Sequence, residues 1–121
     1  EQENRLLQEF RESIPHLALS GIEPVLKALE WGNVRVLLYD TDYTLPGCVY
    51  YPSGLLGLHP EHAPEGTELI WRLPDIVDTV VERALEQGAQ VEAIHAPSAK
   101  SEIHGVSAIL RYPMSQTATS E

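Results

Sequence analysis

Hydrophobic residues recur along the chain at two alternating spacings, which predict helices and strands in turn. In residues 2–14 they stand three and four positions apart, as in an amphipathic helix with one buried stripe: Leu6, Leu7, Phe10 and Ile14. Pro15 is predicted to end this helix. A run too short for a helix follows at residues 17–19 and favours a short strand.

A second helix and a central strand are predicted next. Ser20 and Glu23 have the spacing of a Ser-x-x-Glu capping box, which predicts a helix start, and Gly32 predicts its end. Residues 34–39 form a β-branched and aromatic run with little alternation. That pattern is typical of a strand covered on both faces.

Residues 43–67 do not fit a regular element, because they contain four prolines and four glycines. We expect an irregular insertion there, with a β-excursion at residues 48–51. A strand at 68–73 leads to a third helix, which begins at Pro74 and Asp75 and ends at Gly88.

The third helix has a broad apolar face formed by Ile76, Val77, Val80, Val81, Ala84 and Leu85. A strand at residues 91–95, a turn at 96–98 and a strand at 106–112 complete the pattern. Alternating helices and buried strands predict an α/β layered sandwich.

The composition is that of one ordinary globular domain: 121 residues, 43% of them apolar and 21% charged. The single cysteine, Cys48, excludes an internal disulfide, and we expect a cytoplasmic protein without a membrane span. The chain begins at Glu1 rather than at a methionine, so we expect the C-terminal fragment of a longer protein. A flexible polar tail is predicted at residues 115–121.

The net charge of −10 limits the classes of partner that we expect, because an acidic surface repels phosphate backbones. Nucleic acid is therefore not the first expectation. The charge is explained equally well by solubility or by the steering of a basic partner.

Cys48, His59 and His62 are the residues that suggest a metal site, since a thiolate and a His-x-x-His pair are three zinc ligands. A closed structural site needs a fourth ligand, and the chain has no Cys-x-x-Cys pair. We expect no bound metal and an idle or buried cysteine.

No catalytic group stands out. Cys48 with His59 or His62 would form the one conceivable nucleophile pair, but no spacing predicts their approach. The Asp40 and Asp42 pair is better explained as turn residues, and Asp75 as a residue at a helix start. The chain also has no Gly-x-x-x-x-Gly-Lys or Gly-x-Gly-x-x-Gly loop. We expect neither an enzyme nor a cofactor.

Tyr50, Tyr51 and Trp71 flank the insertion and are candidates for binding a partner, because tyrosine and tryptophan are enriched in interface hot spots. The alternative is that these side chains cover the core.

Three segments, taken in order, resemble the C-terminal domain of archaeal and eukaryotic class-I peptide chain release factors and of Pelota-type rescue factors. They are Ser20-Gly21-Ile22-Glu23 with the following residues to Leu38, Val80-Val81-Glu82 to Glu92, and Gly105-Val106-x-Ala108-Ile109-Leu110-Arg111-Tyr112. The resemblance covers nearly the whole chain.

The resemblance implies a three-layer α/β/α sandwich of the kink-turn-binding ribosomal-protein type, with residues 43–67 as an excursion that carries zinc-ribbon-like cysteines in several relatives. It also implies a non-catalytic interaction domain that docks a translational GTPase, an ABC-type recycling ATPase or the ribosome. The Gly-Gly-Gln motif on which peptide release depends in this family is absent from the chain. The alternative function is RNA binding, which other domains of this fold perform.

Overall fold

The computed structural model describes residues 2–14 and 16–114, so the predicted helix stop at Pro15 and the predicted tail at 115–121 lie outside the described residues. The described part contains these elements in chain order: α1 (Gln2–Ser13), β1 (Ala18–Ser20), α2 (Ile22–Glu30), β2 (Val34–Asp40), β3 (Gly47–Tyr51), β4 (Leu55–Gly57), a 3-10 turn (Pro60–His62), β5 (Leu69–Leu73), α3 (Ile76–Glu86), β6 (Gln90–Ile94), α4 (Pro97–Ile103) and β7 (Val106–Leu110). None of these helices is long and apolar enough to cross a membrane.

The main sheet has the strand order β1-β7-β2-β6. β2 is parallel to β6 and antiparallel to β7. A parallel pair needs a long crossover, which here includes α3 and the strands of a second sheet.

Helices cover both faces of the main sheet, which gives the three-layer α/β/α sandwich. One face is packed by α1 and α4, with a core of Leu6, Leu7, Phe10, Ala18, Val36, Leu38, Ile94, Ala99, Ile103 and Ile109. The other face is packed by α2 and α3, whose buried core includes Val25, Leu29, Leu37, Ile76, Val80 and Val106. The α/β fold class predicted from the chain is confirmed.

A register shift between β2 and β7 explains one irregularity in how the residues of β2 alternate between the two cores. Val36 and Leu38 alternate with Leu37, as expected for a strand buried on both sides. Val34, however, joins the core of Leu37, because the pairing with β7 shifts between Val34 and Val36. The extra residue, Arg35, is exposed, so the bulge keeps its charge out of both cores.

The segment predicted as an irregular insertion is in part regular. β3 pairs with β4 and with β5, both antiparallel, in a separate three-stranded sheet. The β-excursion expected at 48–51 corresponds to β3. The prolines and glycines lie mostly in the connections, so their density hid the short strand β4, which cross-strand pairing with β3 stabilises.

Helix α4 replaces the turn predicted at 96–98. It is only seven residues long and has no side-chain N-cap, so it carries few helix signals. Its Ala99 and Ile103 are buried in the core beneath α1. His104 follows in a left-handed conformation with φ 52°, and Gly105 then lies so close to the Tyr43 ring that a Cβ would overlap it.

The capping box predicted at Ser20 and Glu23 is wrong. Ser20 belongs to β1 opposite Ser107, and the two hydroxyls are hydrogen-bonded to each other at 3.1 Å. The N-cap of α2 is Gly21, with φ 99° and no side-chain cap. Cross-strand pairing therefore occupies the serine that would have capped the helix.

Two predicted core residues are exposed, and the last strand is shorter than predicted. Ile14 lies beyond the end of α1. Leu85 lies on the side of α3 opposite the buried Ile76, because nine positions separate the two. Both side chains are more than half exposed. β7 ends at Leu110, because the next backbone N–H groups, of Arg111 and Tyr112, bond the buried Asn33 side chain.

Candidate functional site

The register of the second sheet separates the aromatic candidates onto two faces. Tyr51 stands opposite Leu69, and Val49 stands opposite Trp71, so these four side chains share one face. Tyr50 alternates to the other face. We call the exposed set Tyr51, Leu69 and Trp71 the β5 patch.

The face that carries the β5 patch continues into the protein core. At its inner end a Cβ on Gly47 would overlap the Ile76 side chain of α3, and Leu56 and Leu73 pack against the core of that layer. At its outer end the side chains of Tyr51, Leu69 and Trp71 are 42%, 53% and 60% exposed. The patch is thus an apolar sheet face that extends beyond the helices that cover its other end.

Tyr50 is a core residue. Its side chain is 5% exposed, its hydroxyl donates to the His59 carbonyl at 2.9 Å, and a Cβ on Gly57 would overlap its ring. Burial raises the pKa of Tyr50 to about 12, and the neighbouring Cys48 thiol acts in the same direction. The hydroxyl is therefore a neutral donor that fixes the 58–62 connection. Tyr50 was a candidate for binding a partner, with covering of the core as the alternative, and its burial supports the alternative.

The residues considered for zinc are not brought together as ligands. Cys48 is fully buried in β3, and its thiol donates to the Gly57 carbonyl at 3.5 Å. The rings of His59 and His62 lie at the surface with centroids 5.3 Å apart. Within residues 2–14 and 16–114, no three His, Cys, Asp or Glu side chains form a group that could hold a metal ion.

An ionic cluster at the carboxyl ends of β2 and β6 was not predicted. Lys100 Nζ lies 2.5 Å from Asp42 Oδ2 and 3.3 Å from Asp40 Oδ1. The hydrogen bond with Asp42 raises the pKa of Lys100 and lowers the pKa of Asp42. A lysine held in its charged form is neither a nucleophile nor a base, so the cluster fastens α4 to the end of β2.

The first helix is fastened to the same end of the sheet. Glu3 accepts hydrogen bonds from the backbone N–H groups of His95 and Ala96 at 3.1 and 3.3 Å. The His95 bond is the main cause of a lowered pKa for Glu3. Asp40 also accepts from the Asp42 N–H at 2.8 Å, which is the turn role predicted for this pair.

A cleft of about 210 Å³, lined by leucines and by polar side chains, lies between α2, α3 and β4. Charged residues of both signs line it, with Lys27 and Arg83 among them. The Gln87 side chain borders it: its Nε2 donates to the Leu29 carbonyl at 2.7 Å, and its buried Oε1 has no protein partner among the described residues. The cleft is small and mixed in charge, whereas the β5 patch is apolar and exposed, so the patch is the stronger candidate for a partner.

Comparison with solved structures identifies the fold. The C-terminal domain of a peptide chain release factor from Methanosarcina mazei superimposes with a TM-score of 0.66 and 21% identity, over 92% of this chain and 82% of that one. S. cerevisiae Dom34, a translation termination-like factor involved in RNA quality control pathways and interacting with Hbs1, matches 97% of this chain with a TM-score of 0.61 and 17% identity. Archaeoglobus fulgidus Pelota matches 92% with a TM-score of 0.60 and 17% identity.

These likenesses establish the fold of the release-factor C-terminal domain, as the sequence resemblance implied. This chain spans 29% of the length of the Dom34 chain and 29% of the Pelota chain. No family model and no curated protein sequence matches it.

Proposed function

We propose that this domain is a non-catalytic docking module of a release-factor-like protein that acts in translation termination or ribosome rescue. Its partner would be a translational GTPase, an ABC-type ATPase or a component of the ribosome. The observation that supports the proposal most directly is the structural match to a release-factor C-terminal domain, which extends over most of both chains. Dom34, which interacts with Hbs1, offers a precedent for a protein partner.

The side chains that could take part in catalysis are buried or ion-paired, which supports a docking role. Cys48 is buried and its thiol bonds a carbonyl, so no substrate reaches it. Lys100 is neutralised by two aspartates. We propose that any chemistry of the full protein is carried out by residues other than these.

The charges favour a protein partner over RNA. The chain carries 8 basic and 18 acidic side chains, and three of the basic ones already pair with carboxylates: Arg11 with Glu102, Arg35 with Glu9, and Lys100 with Asp40 and Asp42. RNA affinity depends on free cations that neutralise phosphates. At most five basic side chains remain for phosphates, against 18 acidic side chains that repel them.

Affinity purification of the full-length protein, with and without this domain, tests the proposal. We expect a translational GTPase, an ABC-type ATPase or ribosomal proteins to co-purify with the intact protein and to be lost with the domain. Equal recovery from both forms would contradict a docking role. The RNA alternative is tested by titrating the domain with a kink-turn RNA at two salt concentrations, and salt-sensitive binding at physiological salt would favour it.

A further inference from the structure

We infer that β5 is the docking strand of this domain and that it binds an extended, basic segment of a partner protein, which adds a fourth strand to the second sheet. The inference deepens the proposed docking function by naming the surface and the chemistry of the partner. Three observations support it: the open edge of β5, the apolar side chains of the β5 patch, and the acidic residues beside them.

β5 lies at an open edge of the second sheet. In the order β4-β3-β5, β5 is a terminal strand that pairs with β3 alone among the described residues. All five of its residues pair in regular register, without the shift seen in β2. Natural edge strands are usually protected by charged side chains, proline or a bulge. β5 has no proline and no bulge within its span, and its one charged residue, Arg72, lies on the face opposite Trp71, so its outer backbone groups form a regular template for another strand.

The side chains beside this edge are suited to an interface. Trp71 and Leu69 lie on the same face of β5, two residues apart, and Tyr51 stands opposite Leu69 on β3. An added strand would place alternate side chains next to Trp71 and Leu69. Tryptophan and tyrosine are the residue types that most often dominate binding energy. The backbone edge would supply pairing, and the patch would supply most of the affinity.

The acidic side chains near β5 favour a basic partner segment. Glu68 directly precedes β5 and is exposed, and Glu61 and Glu65 are exposed in the connection that leads to it. Arg72 is the one basic residue in β5, and it alternates to the face opposite Trp71. A basic segment would therefore be attracted to this edge. A second copy of the chain would be repelled, since each copy carries a net charge of −10.

A synthetic peptide of about eight residues with alternating lysine and valine tests the inference, because that length suits one strand. Two control peptides separate the causes. The first replaces valine by proline, which keeps the charge but prevents strand pairing. The second replaces lysine by glutamate, which keeps the strand propensity of valine but reverses the charge. Fluorescence polarisation measures binding of each labelled peptide to the 121-residue chain.

We expect the lysine–valine peptide to bind best and to slow amide hydrogen exchange in residues 69–73. Trp71→Ala should raise its Kd by roughly 10-fold or more, the usual effect of losing a hot-spot tryptophan. Leu69→Thr, which removes apolar surface but places a residue of high strand propensity in the strand, should weaken binding in the same direction. Trp31→Ala is the matched control, since Trp31 is also exposed but ends α2. It should leave the Kd unchanged.

Several results would overturn the inference: equal binding of the proline peptide, no binding of any peptide, no effect of Trp71→Ala, or self-association of the chain in sedimentation velocity. Failure of the inference is separable from failure of the proposed function. If Trp71→Ala leaves the full-length protein associated with its translation partner, docking occurs at another surface. If the wild-type protein associates with no translation component, the proposed function fails whatever the peptides show.

Discussion

The contact between Tyr50 and Gly57 yields a prediction in which one substitution changes sign with its background. Gly57 has no positive φ, so alanine is compatible with its backbone, and in a strand alanine is favoured over glycine by roughly 0.5–1 kcal/mol. In the wild type, however, the added Cβ would overlap the buried Tyr50 ring. Overpacking of this kind costs roughly 1–3 kcal/mol. We therefore expect Gly57→Ala to destabilise the protein by about 1–2 kcal/mol.

The same substitution in a Tyr50→Val background should be neutral or stabilising, because the ring that the Cβ meets is gone. Urea unfolding followed by circular dichroism gives the four free energies of this double-mutant cycle. Tyr50→Phe adds a separate test: loss of the hydroxyl that donates to the His59 carbonyl should cost about 1 kcal/mol. If Gly57→Ala has the same effect in both backgrounds, the assignment of Tyr50 to the core rather than to an interface is refuted.

Three further predictions concern the helices. Asp75→Ala should cost about 1 kcal/mol in urea unfolding, since Asp75 accepts from the Val77 N–H at the start of α3, and Asp78→Ala should cost less. Ile103→Ala should cost roughly 2–5 kcal/mol, because the side chain is fully buried beneath α1; a smaller loss would contradict the placement of α4. The lowered pKa of Glu3 contributes stability above its ordinary value of 4.5, and this contribution is lost as the pH falls through the lower folded value. Glu3→Gln should flatten the acid side of the curve of unfolding free energy against pH, and an unchanged slope would count against the bonds from Glu3 to the connection between β6 and α4.

The layered core was predictable from the sequence because its signal is local. The stripe of α3 and the unbroken apolar run of β2 each determine an element without reference to the rest of the chain. Asp75 was also predictable as a helix-start residue, and its side chain accepts from Val77 N–H. The resemblance to release-factor domains then gave the order of these elements in space.

The candidate site depended on information that is not local. Tyr50 and Tyr51 are adjacent in sequence, and only their alternation in β3 and the register with β5 separate a buried ring from an exposed one. The Lys100 cluster joins α4 to the end of β2, 58 positions away in sequence, so no motif could indicate it. Ser20 illustrates the reverse case: the local spacing predicts a capping box, but the serine is hydrogen-bonded to a cross-strand partner instead.

The central claim, that this domain docks a protein rather than RNA, is tested most directly by one titration. The purified domain, fluorescently labelled, is titrated at physiological salt with a translational GTPase of the same organism loaded with a non-hydrolysable GTP analogue, with an ABC-type ATPase, with ribosomes and with kink-turn RNA. We expect saturable binding to one of the three protein-containing partners, with a Kd of about 1 μM or below, as for a specific interface. Binding to the RNA alone, with an affinity that falls steeply with salt, would contradict the claim.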